Sequence, residues 1–167
     1  MPGKRAVEIL RAFDAAGTWY AVDGGWGVDA LLGEQTREHG DLDLAMPLDE
    51  LDEVLRLLAD LGFGLTLDER PKRLMVRHRD GAEVDLHPLR FDEHGDGWQI
   101  GAASNGGDAA YPAGEMTKGT IAGKSVRCLG AELQLRHHAG YDPGGVDRHD
   151  VGKLVERFGL EAPPKYR

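Results

Sequence analysis

The sequence predicts an α+β fold in which a mixed β-sheet is flanked by helices and followed by a short helical C-terminus. Two observations lead to this prediction. Strand-like and helix-like segments are mixed along residues 1–129, and two helices are predicted over residues 130–167. We therefore expect a principal domain over 1–129 and a C-terminal helical extension over 130–167.

The spacing of apolar residues defines each element of the first half. Apolar residues recur every three to four positions before Gly17 and after Pro47, which indicates amphipathic helices. Alternation of polar and apolar residues predicts strands, and Gly24-Gly25 is expected to break the first of them. The predicted elements are a helix at 4–16, a strand at 19–22, a short helix at 28–32, a strand at 41–46 and a helix from 47 to about 61.

The second half is predicted to consist mainly of strands before two final helices. Asp80-Gly81 is a strong hairpin signal, and Gly123-Lys124 is expected to form a second hairpin turn. Residues 91–112 are rich in Gly, Asp and Asn and are predicted to form a long loop with a short strand at 98–100. The other predicted elements are strands at 65–67, 74–79, 82–86, 120–121 and 125–129, and helices at 131–138 and about 146–158.

Composition narrows the class of function. The chain has 20 basic and 29 acidic residues, a net charge of -9, which disfavours nucleic acid as a partner. It contains no apolar run near the ~20 residues that cross a bilayer, so no membrane association is predicted. The single cysteine, Cys128, excludes an internal disulfide and fits a reducing cytoplasm. We therefore expect a cytoplasmic protein that acts on a small molecule.

A pair of carboxylates marks the candidate site. Asp41 and Asp43 are two residues apart on a predicted strand, so their side chains lie on the same face. Two carboxylates about 4 Å apart repel each other by roughly 4 kcal/mol at an effective dielectric constant near 20. A cation would relieve this repulsion, and Mg²⁺ is the natural choice because it prefers oxygen ligands and works with substrate phosphates.

A later strand supplies a third carboxylate. Alternation places Glu83, Asp85 and His87 on one face, and Asp85 completes a three-carboxylate cluster if this strand lies beside Asp41 and Asp43. Such a cluster suits nucleotidyl transfer, in which metal ions neutralise a triphosphate and a carboxylate accepts the proton of the attacking hydroxyl.

Two glycines complete the pattern. Gly24 and Gly25 leave their backbone N–H groups free to approach phosphate at the start of a helix, where the helix dipole favours anions. The segment 24–47 resembles the nucleotidyltransferase motif in which Gly-Gly precedes an Asp-x-Asp strand. More narrowly, it resembles the small antibiotic adenylyltransferases that act on aminoglycosides or lincosamides. The residues that carry this resemblance are Gly24, Gly25, Trp26, Asp29, Thr36, Arg37, His39, Asp41 and Asp43.

The resemblance implies a nucleotidyltransferase fold and a Mg²⁺-dependent (or Mn²⁺-dependent) enzyme. The implied reaction transfers a nucleoside monophosphate, AMP from ATP, to a hydroxyl of a small molecule such as an aminoglycoside or lincosamide. By the same resemblance Asp41 and Asp43 are metal ligands, Asp85 is a third ligand or the general base, and Arg37 lies near the phosphates together with Gly24 and Gly25.

Two alternative functions remain at this stage. One is a nucleotidyltransferase that modifies a protein or RNA, as in some toxin–antitoxin pairs, and the other is a non-catalytic nucleotide-binding module on the same fold.

Two departures from the family pattern also bear on the identity of the acceptor. His87 stands where some aminoglycoside-modifying relatives carry an acid, and the helix around Arg136, His137 and His138 is more basic than a polycation-binding wall should be.

Overall fold

The computed structural model describes all 167 residues and contains five α-helices and nine β-strands, as expected of the predicted α+β fold. None of the helices has the length and apolar character that crossing a membrane requires. The helices are α1 Gly3–Ala16, α2 Gly24–Leu32, α3 Leu51–Asp60, α4 Ala131–His138 and α5 Gly145–Phe158. The strands are β1 Ala21–Val22, β2 Asp41–Pro47, β3 Phe63–Glu69, β4 Arg73–His78, β5 Glu83–Phe91, β6 Gly97–Gln99, β7 Ala109–Tyr111, β8 Met116–Ile121 and β9 Lys124–Leu129.

All nine strands belong to one sheet, whose main path runs β3-β4-β5-β2-β1-β9-β8. Outside this path, β6 pairs with β5 and β7 pairs with β6. The β2–β5 and β1–β9 pairs are parallel and the other pairs are antiparallel. The predicted mixed sheet is therefore confirmed, and it places β2 next to β5 near its centre.

The main core lies under one face of β2 and β5. Leu42, Leu44, Val84 and Leu86 are each 0% exposed and pack with apolar residues of α1 and α3. Burial of one such side chain is worth about 1.5–3 kcal/mol, and a slip of one residue would turn all four to the opposite face. The core thus fixes the register that leaves residues 41, 43, 85 and 87 on the other face of the sheet.

Helix α2 begins earlier than the sequence predicts. The first strand ends before Gly24-Gly25 as predicted, but the predicted helix start at residue 28 was wrong, because the helix runs from Gly24 to Leu32. The carboxylate of Asp23 accepts a hydrogen bond of 2.7 Å from the N–H of Gly24 and caps this helix. Since the cap supplies the start signal, two poor helix formers are tolerated in the first turn.

The segment predicted as a long loop contains two short strands. β6 lies close to the short strand expected at 98–100, whereas β7 was not predicted. Three residues are too few for an alternating pattern to be recognised, and β7 is held by pairing with β6. This pairing brings Tyr111, which is 2% exposed, into the interior next to the candidate site.

The two C-terminal helices pack against α2. Leu135 of α4 and Val151 and Leu154 of α5 form a buried cluster with Val28. The division at residue 129 stays a prediction, but the C-terminal segment shares a core with the helix that begins at the Gly-Gly pair.

Candidate active site

The register between β2 and β5 brings the predicted carboxylates together. In this parallel pair Asp43 lies opposite Asp85, and Asp41 lies opposite Glu83. The strands run in the same direction with their buried faces aligned, so both carboxylates of the Asp43–Asp85 pair project from the face opposite the core.

The tightest group of potential metal ligands consists of Asp43, Asp85 and His87. One ligand atom of each lies within 4.8 Å of those of the other two. The Nε2 atom of His87 is 3.6 Å from a carboxylate oxygen of Asp43 and 3.6 Å from one of Asp85. Asp41 lies outside this group, one side-chain repeat away along β2, so its place as a metal ligand stays a prediction.

Crowded charges perturb the acid–base properties of this group. Burial raises the pKa of Asp43 to about 7, and the charges of Asp41 and Asp85 add to this effect while His87 opposes it. Burial lowers the pKa of His87, but hydrogen bonds to Asp23 and Asp85 outweigh it and raise the value to about 10. The proximity of the other carboxylates therefore disfavours ionisation of Asp43.

Asp85 has a second cationic neighbour that the sequence analysis missed. Arg73, at the start of β4, donates hydrogen bonds of 2.8 and 2.9 Å from Nε to the Asp85 carboxylate. Burial of Asp85 raises its pKa, but His87 and Arg73 outweigh this and hold the pKa below its ordinary value. Asp85 is therefore ionised at neutral pH, and its role as ligand or general base stays a prediction.

Gly24 allows the Asp43 side chain to approach the start of α2. A Cβ atom added at Gly24 would lie 2.7 Å from Cγ of Asp43 and still closer to Oδ2. Gly24 also has a φ of 56°, in the left-handed region that favours glycine. The glycine is thus required both by its backbone conformation and by the carboxylate that lies against it.

Arg37 lies beside the second glycine and pairs with the C-terminal helix. A Cβ atom at Gly25 would lie 3.0 Å from Cζ of Arg37 and 2.7 Å from Nδ1 of His39. The Arg37 side chain also donates hydrogen bonds of 2.7 and 2.6 Å to the two carboxylate oxygens of Asp150 in α5. The structure therefore places Arg37 at the first turn of α2, and its contact with phosphate stays a prediction.

Asp29 holds the loop that carries Arg37. Its carboxylate accepts hydrogen bonds from the backbone N–H and the hydroxyl of Thr36, at 3.0 and 2.7 Å, and contacts Nε2 of His39 at 2.5 Å. The ring of His39 also packs against Trp26 with 4.2 Å between centroids. These buried contacts make Asp29, His39 and Trp26 supports of the loop.

A cleft of about 530 Å³ opens beside the carboxylate group. At its base the hydroxyl of Tyr111 donates to a carboxylate oxygen of Asp23 at 3.0 Å and lies 3.3 Å from Nδ1 of His87. His137 of α4 lies 3.4 Å from the same Asp23 oxygen. The residues that line the cleft are Asp23, Gly24, Asp43, His87, Gln99, Ala102, Ala103, Ser104, Asp108, Ala109, Ala110, Tyr111, Arg136, His137, His138, Gly140 and Tyr141.

The donor set fits a divalent cation. The two carboxylates are ligand types that hard divalent ions accept, and a bound cation would relieve the crowding that raises the pKa of Asp43. The first turn of α2 lies against the Asp43 carboxylate, although the N–H of Gly24, which the sequence predicted to be free, is bound by Asp23. A fold and a site of this kind define a nucleotidyltransferase, an enzyme that uses a nucleotide co-substrate with a divalent metal.

Comparison with known proteins identifies the family. The model of the aminoglycoside-2''-adenylyltransferase family matches residues 6–154. A lincosamide resistance protein of Staphylococcus haemolyticus is 30% identical over 151 residues, which cover 90% of this chain and 92% of that protein. A 2''-aminoglycoside nucleotidyltransferase of Escherichia coli is 31% identical over 121 residues, which cover 72% of this chain and 63% of that protein. The chain belongs to the aminoglycoside-2''-adenylyltransferase family.

Solved structures agree with this assignment. The lincomycin-bound crystal structure of the lincosamide antibiotic adenylyltransferase LnuA matches with a TM-score of 0.80 and 30% identity, covering 90% of this chain and 94% of that one. The structure of ANT(2'')-Ia in complex with adenylyl-2''-tobramycin matches with a TM-score of 0.75 and 23% identity, covering 94% and 89% of the two chains. The second likeness supports the nucleotidyltransferase fold, and the resemblance noted in the sequence is confirmed.

Proposed function

We propose that this protein transfers AMP from magnesium-bound ATP to a hydroxyl of a lincosamide antibiotic. The observation that carries the choice of acceptor is the charge of the cleft beside the carboxylate group. Its helical wall consists of Arg136, His137 and His138, and it provides few carboxylates that are free to bind a cation.

The cleft contains three carboxylates, and each already has a partner or a role. Asp23 is 5% exposed and is bound by Tyr111 and His137. Asp108 lies 3.4 Å from Arg90, and Asp43 belongs to the proposed metal group. Aminoglycosides carry several ammonium groups, which need exposed, unpaired carboxylates. The cleft therefore suits an acceptor with few positive charges.

Apolar and aromatic side chains line a further part of the cleft. Four alanines and two tyrosines line it: Ala102, Ala103, Ala109, Ala110, Tyr111 and Tyr141. A lincosamide joins a sugar that bears several hydroxyls to an alkylated proline with a single amine. Such a molecule matches a cleft that combines apolar surface with polar groups able to bind hydroxyls. The lincosamide relative that spans nearly the full chain supports the same choice.

Different residues of the chain have different roles in the proposed reaction. Asp41, Asp43 and Asp85 would hold the magnesium ion, which neutralises triphosphate charge when bound. The backbone N–H group at Gly25 would donate to the triphosphate, whereas that of Gly24 is already bound by the capping carboxylate of Asp23. Asp85 accepts the proton of the acceptor hydroxyl as that oxygen bonds to the α-phosphorus, and the bond from the α-phosphorus to the pyrophosphate oxygen breaks.

The test is incubation of the purified protein with ATP, magnesium and either lincomycin or tobramycin, followed by mass spectrometry of the antibiotic. We expect lincomycin to gain one adenylyl group with release of pyrophosphate and tobramycin to remain unmodified. The Asp85→Asn variant is the control for contaminating activity. Modification of tobramycin in preference to lincomycin would overturn the choice of acceptor. Failure with both antibiotics would overturn the proposed function.

A further inference from the structure

We infer that Asp150, in helix α5, is a positioning residue that holds Arg37 in the orientation that binds the triphosphate. The inference rests on the proposed function, because it takes the nucleotide to lie at the start of α2. Asp150 is 113 residues from Arg37 in the sequence, in the C-terminal helical segment.

The geometry of the pair is that of an arginine fixed by a fork-shaped contact. Nε and Nη2 of Arg37 donate to the two carboxylate oxygens of Asp150 at 2.7 and 2.6 Å, and Nη1 donates to the carbonyl of Glu38 at 3.0 Å. Two parallel bonds to one carboxylate fix the plane of a guanidinium as well as its position. The Asp150 side chain is 2% exposed, so packing holds it in place.

The guanidinium still has donors to offer. Three of the five N–H groups of Arg37 are used by Asp150 and Glu38, so two remain. The Arg37 side chain is 20% exposed and lies against Gly25 in the first turn of α2. An anion bound by the backbone of that turn would therefore meet a cation that has already lost most of its conformational freedom, which lowers the entropic cost of binding.

A second contact ties the same helix to the same loop. Nε2 of His149 lies 3.0 Å from Oγ1 of Thr36, the residue before Arg37. Two consecutive residues of α5 thus contact two consecutive residues of the loop. The loop is fixed on its other side by Asp29, which binds Thr36 and His39. Helix α5 therefore completes the nucleotide site, and its contribution extends beyond covering the apolar surface of α2.

The experiment measures the affinity of the full-length protein for a non-hydrolysable ATP analogue with magnesium, by calorimetry and without an acceptor. We expect Arg37→Ala to weaken binding by about 10- to 100-fold and Asp150→Asn by about tenfold, since charge-assisted hydrogen bonds to phosphate are lost or misaligned. In the double variant we expect Asp150→Asn to add no further loss, because its effect acts through Arg37. With substrates present, Asp150→Asn should raise the KM for ATP and leave the KM for the acceptor unchanged.

The matched control is Asp147→Asn on the same helix. Asp147 accepts a hydrogen bond of 2.7 Å from the Gly144 N–H at the start of α5, so this variant should lower the Tm while nucleotide affinity stays at the wild-type value. Equal nucleotide affinity of Asp150→Asn and wild type, with Arg37→Ala impaired, would overturn the positioning role and leave the proposed function standing. Unchanged nucleotide affinity of Arg37→Ala would overturn both the contact of Arg37 with the triphosphate and its positioning by Asp150.

A second variant tests the inference in case Asp150→Asn does not fold. Asp150→Glu keeps the charge but moves the carboxylate by one methylene group, so we expect a smaller loss of nucleotide affinity than for Arg37→Ala. Two results together would contradict the role of Asp150. Asp150→Glu would bind the ATP analogue with wild-type affinity, and the double variant Arg37→Ala/Asp150→Glu would bind it more weakly than Arg37→Ala alone.

Discussion

Replacement of Gly24 by alanine introduces a steric clash and an unfavourable backbone conformation at the same residue. The added Cβ would lie 2.7 Å from Cγ of Asp43, whereas real Cβ atoms almost never approach another heavy atom within 3.0 Å. Because Oδ2 of Asp43 would lie closer still, the clash displaces the carboxylate or the first turn of α2 by about 1 Å before ordinary van der Waals contact is restored. The φ of 56° adds a backbone cost of about 1–2 kcal/mol for a residue with a side chain.

The expected effect on activity is much larger than the effect on stability. In a chain of this size 1 kcal/mol corresponds to about 2–4 °C in Tm, so the backbone cost alone lowers the Tm by roughly 2–8 °C. A reacting group displaced by about 1 Å costs about 10²-fold in rate. We therefore expect Gly24→Ala to fold, to bind the nucleotide with magnesium more weakly and to lose about two orders of magnitude in kcat/KM.

Gly17→Ala is the matched control for this experiment. Gly17 ends α1 with a φ of 72°, and a Cβ there meets nothing within 4 Å. The control should lose a similar amount of Tm and keep wild-type turnover. Turnover of Gly24→Ala within a few-fold of Gly17→Ala would refute the reasoning, because the close approach of Asp43 to the helix start would then have no role in the chemistry.

Three further predictions follow from the charges of the site. Asp85→Asn should keep the fold and much of the nucleotide affinity while turnover falls by ~10²–10⁴, whereas Asp43→Asn should weaken the binding of metal and nucleotide together. Steady-state kinetics combined with calorimetry distinguish the two variants. Wild-type turnover in Asp85→Asn would exclude Asp85 as the base. Chelation of divalent metal should abolish tight ATP binding, because bare carboxylates repel phosphate; equal affinity by calorimetry with and without chelator would disprove this. Burial lowers the pKa of His137, but its hydrogen bond to Asp23 outweighs this and raises the value above 6.5. The resulting stabilisation is present below about pH 6.5 and is lost as the pH rises through the folded-state pKa, so the Tm difference between wild type and His137→Gln should be largest near pH 5–6 and shrink above it.

The parts of the site that follow strand alternation could be predicted from the sequence. Asp43 and Asp85 each stand between buried apolar residues, and this pattern fixes their face once the strands are recognised. The pairing of β2 with β5 is continuous, so the alternation along each strand also holds across the pair. The Gly-Gly pair was recognised as a phosphate-binding element at the start of a helix, although the helix itself was predicted only from residue 28, because glycine is a poor helix former.

The residues that the sequence analysis missed act through tertiary contacts. Arg73, Tyr111 and Asp150 reach the site from a strand end, a three-residue strand and a C-terminal helix, and nothing in their local pattern points to it. Asp23 is the exception. An aspartate directly before a helix start is a cap signal, and locating the start of α2 at Gly24 would have revealed it.

The position of the cleft relative to the sheet has a consequence for how this enzyme can diversify. The carboxylates stand on β2 and β5, whose opposite faces form the core, so a shift in either strand damages folding and chemistry together. The cleft wall comes mainly from two other stretches, residues 99–111 and 136–141. Substitutions there can reshape acceptor preference while the phosphoryl chemistry stays intact. Most of the surface that would meet an acceptor can therefore vary without disturbing the sheet that carries the carboxylates.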